Sequence, residues 1–315
     1  MKRWALVVLM LAASCGRREP QPGVSVPRYP VSGLKGATAL REVGEFIQLG
    51  DRTAGTEAGR RAAVYLVKRL TALGVSAEID EFQDSTPSGP ARFRNVTAVI
   101  RGTEPGMIVL GAHYDTKSGI PSFIGANDSG SGVGLLLALA PILKAGAVNG
   151  PSVWLAFLDG EECQVTYGPN DGLHGSRHLA ATLAATGRAR EVRAFILFDM
   201  IGDRDLSVTI PRNGTPALVS AVFKAASEEG VRSLFSLANQ SILDDHQAFI
   251  DAGIPAIDLI DFEYGSEPRL NDYWHTAADT IDKLSAGSLE SVGRVVLRVL
   301  NAAAHSPSGS FRTDS

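Results

Sequence analysis

Five short segments combine acidic and imidazole side chains in a way that suits a divalent cation. His113-Tyr114-Asp115 follows an apolar run at 107–111, and Asp159-Gly160-Glu161-Glu162 follows another at 153–158. Asp199 closes the apolar run 194–198, Asp128 lies in Ala126-Asn127-Asp128-Ser129-Gly130, and His275 lies in Trp274-His275-Thr276, beyond the run 256–260. Zinc accepts imidazole nitrogen and carboxylate oxygen, and a catalytic zinc site keeps one position open for water or substrate. A set without thiolate suits hydrolysis or acyl transfer, where the metal polarises a carbonyl.

Each segment alone has a plainer reading. Asp128 could cap a helix that starts near Ser129. Glu161 and Glu162 could be solvated loop charges, and His275 a surface histidine. Asp199 is harder to dismiss, because an unpaired carboxylate closing a buried apolar strand would be expensive. The conjunction favours a site, since ligands of open α/β sheets bind beyond the carboxyl ends of the strands. Among the other histidines, His174 and His178 stand four apart, but His-Gly-Ser-Arg-His lacks the Glu of H-E-x-x-H, so both read as structural. His246, in Asp244-Asp245-His246, sits beside the suspected site and supports it, and His305 lies in the tail. No G-x-S-x-G elbow occurs, which disfavours a serine hydrolase. The glycines of Gly130-Ser131-Gly132-Val133-Gly134 do not match a dinucleotide fingerprint; they let a helix start pack closely under the metal loop.

Those segments need a scaffold. Periodicity predicts helices from about 37, over 57–73, 134–143, 174–185, 217–226 and 289–304. Strands are expected at 76–82 and 93–100, paired around a turn at 85–90, and then at 107–111, 153–158, 194–198, near 208 and at 256–260. Buried strands alternating with helices imply an α/β fold with a mostly parallel sheet covered on both faces. No repeat or internal linker is visible, so one domain is expected over 37–305, with a disordered tail at 306–315.

The start of the chain carries a different signal. Lys2 and Arg3 precede an apolar run, 4–13, that is too short to span a bilayer. Leu11-Ala12-Ala13-Ser14-Cys15 resembles the bacterial lipoprotein signal, which implies a signal at 1–15, lipidation of Cys15 and an exported protein, periplasmic or at the cell surface; the plainer reading is an ordinary cleaved export signal. Residues 16–36, rich in Pro, Gly and Arg, read as a flexible tether. Cys163 is then the one cysteine of the mature domain, so an internal disulfide is not expected. The net charge of −4 and the absence of like-charge blocks argue against nucleic acid as a partner.

The order His-x-Asp, Asn-Asp-Ser-Gly, Asp-Gly-Glu-Glu, Phe-Asp-Met, His-Thr resembles the M28 zinc aminopeptidase superfamily, over about residues 37–303. Arg52-Thr53-Ala54-Gly55-Thr56 is similar to an early motif of that family. The resemblance implies a three-layer phosphorylase/hydrolase-like sandwich with a central mixed, mostly parallel sheet. It places metal ligands on His113, Asp128, Glu162, Asp199 and His275, and a general base on Glu161. The loop from Glu161 through Tyr167 to His178, the Asp244-Asp245-His246 triplet and Trp274-His275-Thr276 look closer to glutaminyl-peptide cyclotransferases. Those enzymes convert the amino-terminal Gln of peptides to pyroglutamate and release ammonia. They imply one zinc on Asp128, Glu162 and His275, a proton shuttle on Glu161, a hydrogen-bond network through Asp199 and Asp244, and pocket walls at Trp274 and Tyr167. Asn127 looks more like the aminopeptidases, and His113 with Asp199 could complete a second metal site. Hydrolysis of amino-terminal residues with one or two zinc ions is therefore the alternative, and a non-catalytic binding lipoprotein the third reading.

Overall fold

The structure is a computed structural model and describes residues 28–146, 150–304 and 311. The strands are β1 (Ala77–Thr86), β2 (Gly89–Ile100), β3 (Met107–His113), β4 (Ser152–Leu158), β5 (Val192–Asp199), β6 (Val208–Ile210), β7 (Phe235–Leu237) and β8 (Ala256–Ile260). The helices are α1 (Gly36–Phe46), α2 (Glu57–Ala72), α3 (Gly130–Ala145), α4 (His174–Ala185), α5 (Pro216–Glu228), α6 (Asp245–Asp251) and α7 (Ala286–Ala304). Six strands form one sheet in the order β1-β2-β4-β3-β5-β8. The pairs β4–β3, β3–β5 and β5–β8 are parallel, while β2 runs against both of its neighbours. The expected mixed, mostly parallel sheet is thus present.

Strand alternation makes the layers. Ile108, Leu110, Ile196 and Phe198 face one apolar cluster, shared with α1, α2, α3, α5 and α7. Val109, Trp154, Phe195 and Leu197 face the other, covered by α4 and α6. Because side chains of a strand point alternately to its two faces, an all-apolar strand demands helices on both sides.

α3 is apolar all round and buried nearly throughout, which suits a helix enclosed by protein. Its glycines set the closeness: a Cβ at Gly132 would lie 2.4 Å from the Phe198 carbonyl oxygen, and one at Gly134 2.4 Å from Val43. α2 starts where Thr56 accepts from the amides of Ala58 and Gly59, a side-chain cap.

Three sequence readings need adjusting. The domain begins before residue 37: Tyr29 is fully buried, exchanges hydrogen bonds with Asn301, and is followed by buried Leu34. The C-terminal part of the expected tether, from residue 28, is therefore part of the packed domain. Second, β7 and α6 were not predicted; elements of three and seven residues give little periodicity to read. Third, Phe311, within the expected tail, is half-buried against the core, although the rest of 306–315 lies outside the described residues, as does the leader with Cys15.

Candidate metal centre

Parallel strands bring their carboxyl ends to one edge of the sheet, and the singled-out residues meet there. His113 ends β3, Asp159–Glu162 follow β4, and Asp199 ends β5. Asp128 precedes α3 and does not cap it: the helix starts without a side-chain cap bond. The loop after β8 returns His275 to the same place. His275 Nε2 lies 3.2 Å from Asp128 Oδ2 and 3.0 Å from Glu162 Oε1. One ligand atom from each of Asp128, Glu162 and His275 falls within a common 4.8 Å. A second set, His113, Asp128 and Asp199, meets the same limit and shares Asp128. His113 Nε2 is 3.1 Å from Asp128 and 3.3 Å from Asp199.

The electrostatics ask for a cation. Burial, then the Asp128 charge, raises Glu162 above the ordinary carboxyl range. Burial opposes ionisation of Asp128 too, yet His113 and His275 outweigh it and lower it. Burial works against a charged His275, but Asp128 and Glu162 push it up to about 9. Among the described residues, buried Glu162 Oε2 and Asp199 Oδ1 have no hydrogen-bond partner and only the looser ion pairs with Lys117 and His113, oxygens that a divalent ion would satisfy. Two carboxylates and an imidazole match the donors zinc takes, so the residues fit the expected metal.

A supporting shell holds these groups. Asp279 accepts from the amides of Asn127 and Asp128 and from the Tyr264 hydroxyl at 2.7 Å. Burial, then Asp128, pushes Asp279 up to about 7. Asp115 accepts from the amides of Glu161 and Glu162, both at 3.2 Å. Fully buried Arg52 donates to the carbonyls of Gly50, Tyr114, Ile124 and Gly125, tying three segments around the Asp128 loop. Lys117 Nζ bonds the Cys163 carbonyl and stands 3.6 Å from Glu162.

Glu161 is buried and outside both ligand sets. Burial, then Glu162, raises its carboxyl well above the ordinary range. The Tyr167 hydroxyl donates to Glu161 Oε1 at 2.8 Å, so Tyr167 reaches the acid as well as lining the loop. Asp244 caps α6 through the Asp245 amide, and burial, then Asp199, raises its carboxyl well above the usual range. Trp274 is 37% exposed and stacks on His275 with ring centroids 4.0 Å apart. His246 is fully buried with neither ring nitrogen bonded; burial lowers it to about 4. His174 and His178 pair with Asp84 and Asp80 and stack on Phe93 and Phe82, and neither belongs to a ligand set.

Two residues escaped the sequence reading. Asp258, in the apolar strand Ala256-Ile257-Asp258-Leu259-Ile260, is fully buried and faces Asp244; an acid inside an apolar strand was the available signal. Asp279 is the one carboxylate in 273–279, a weak signal in sequence.

The sequence profile described as "Peptidase family M28" matches residues 95–300, more than half of the chain. The glutaminyl-peptide cyclotransferase-like protein of Mus musculus is 30% identical over 277 residues, 78% of this chain and 70% of that protein. A crystal structure of an Acidobacteriales bacterium glutaminyl cyclase aligns at a TM-score of 0.82 and 34% identity, covering 90% of this chain and 98% of that one. A leucine aminopeptidase precursor from Bacteroides thetaiotaomicron aligns at 0.75 and 25% identity, covering 87% and 99%.

Proposed function

The chain belongs to peptidase family M28, and from that membership we propose that it is a glutaminyl-peptide cyclotransferase. It closes the amino-terminal glutamine of peptides and proteins to pyroglutamate and releases ammonia. A non-ligand acid, Glu161, buried beside the convergent Asp128, Glu162 and His275, suits both this reaction and peptide hydrolysis. The observation that carries the cyclisation reading is the likeness to glutaminyl cyclases over nearly the whole fold.

Zinc held by Asp128, Glu162 and His275 would polarise the γ-carbonyl of the bound glutamine. The remaining work falls to the protein. Glu161 takes a proton from the α-amine as that nitrogen bonds to the carbonyl carbon of the side-chain amide, Cδ. It returns the proton to the amide nitrogen, which leaves as ammonia when the old C–N bond breaks. A raised carboxyl pKa suits both halves of this transfer at neutral pH. Asp199 and Asp244 are buried acids linked by charge to each other and, through Asp244, to Glu161, and would share its proton as a network. Trp274 walls the pocket and helps hold the substrate folded back on itself, where proximity does much of the catalysis.

The competing reading is aminopeptidase. The second ligand set, with Asp128 common to both, favours it. A paired assay separates the two: ammonia release from Gln-peptides with Leu-p-nitroanilide left intact supports cyclisation, and the reverse pattern sinks it. One zinc per chain is expected for cyclisation and two for hydrolysis.

The protein is further proposed to be exported and anchored through a lipid on Cys15. Cys15→Ala should move the protein from the membrane fraction to the soluble fraction; unchanged fractionation would refute the anchor.

A further inference from the structure

We infer that the hydroxyl of Tyr167, rather than its ring alone, is a positioning device for Glu161. This rests on the reading of Glu161 as the proton carrier. Tyr167 Oη donates to Glu161 Oε1 at 2.8 Å. The phenol O–H is the donor and the carboxyl oxygen the acceptor, so Oε1 is occupied and the carboxyl group is held against rotation. The other oxygen is left to exchange protons with substrate.

The placement is built from both sides. Asp171 accepts from three successive amides, those of Gln164, Val165 and Thr166, at 2.5, 2.9 and 2.9 Å. Gly168 and Asp171 exchange backbone hydrogen bonds, and Arg177 of α4 donates to the carbonyls of Gly168 and Pro169. Gly172, at φ +75°, lets the Tyr167 ring close in: a Cβ there would lie 2.5 Å from the ring and 2.9 Å from the Glu161 carbonyl oxygen. That carbonyl accepts from Leu173 at 2.9 Å. The loop therefore runs out from Glu161, turns on Asp171 and comes back to bond the residue it left. A ring that only walled a pocket would need no such closure onto the acid.

The test is a kinetic split. Tyr167→Phe keeps the ring and removes one oxygen, and is expected to lower kcat about tenfold or more with KM within about twofold. Asp171→Asn, which weakens the turn, is expected to lower kcat severalfold alone and to add nothing to Tyr167→Phe, because both act through the same hydroxyl. Zinc content and melting temperature report that each variant is folded and loaded. A wild-type kcat in Tyr167→Phe, or losses that multiply in the double variant, would overturn the inference. Since Glu161 serves as base in either reaction, the split is measured on whichever substrate, Gln-peptide or Leu-p-nitroanilide, the wild type turns over. A failure of the cyclotransferase reading is thereby told apart from a failure of this one.

Discussion

At the scale of single residues, ligation and proton transfer are divided between neighbours in the chain. Glu162 points into the ligand set, and Glu161 points to Tyr167. Glu161→Gln should accordingly lower turnover by about 100-fold to 10,000-fold, the range for a general base, while bound zinc, measured by elemental analysis, stays at the wild-type level. Loss of zinc in that variant would show that Glu161 is a ligand. The ligand-bearing side chains were legible because each follows an apolar strand or starts a glycine-rich helix. Asp258 was open to the same argument as Asp199, a carboxylate in an apolar strand. Asp279 and the Tyr167 hydroxyl were not legible, because their partners lie 151 and 6 residues away and only folding reveals the contact.

Elements set how well those residues are held. Asp128 lies just ahead of α3, and α3 lies close on β5, which carries Asp199 at its end. Gly132 makes the approach feasible: a Cβ would fall 2.4 Å from Phe198 O and 2.9 Å from Ala112. A backbone oxygen yields poorly, so Gly132→Ala should lower unfolding stability by about 1–3 kcal/mol in urea titrations. It should also weaken zinc binding, because the helix start must move. An unchanged midpoint would show that the sheet absorbs the methyl. The long periodic helices and the apolar strands were all readable in sequence, to within a few residues at their ends. What escaped was short or irregular: β7, α6, and the Tyr29 segment, whose Pro-rich composition resembles a linker but whose ring is buried against α7's neighbourhood.

For the whole molecule, the gathering of buried acids makes stability depend on metal and on pH. Chelation should lower the melting temperature and added zinc should restore it, because a ligand that binds only the folded state stabilises it; a melting curve indifferent to chelator would remove the metal from the fold's energetics. A separate acid shows the pH effect without the metal. Asp261 accepts from Ser207 and Glu263, yet burial pushes it up to about 7. Its folded pKa is above its unfolded value, so its contribution is fully present below pH 4 and is lost as pH rises through 7. Asp261→Asn should remove that slope, worth roughly 4 kcal/mol at most across the window, and equal slopes in wild type and variant would contradict it.

The docking of the first described residues carries one more consequence. Arg28 donates to the carbonyls of Gly146 and Pro151, just ahead of the first residue of β4. This is the amino end of a parallel strand, whereas the catalytic groups gather where such strands finish. A lipid on Cys15, as proposed above, would thus pull on the protein from the rear of its sheet, opposite the edge where the catalytic groups stand.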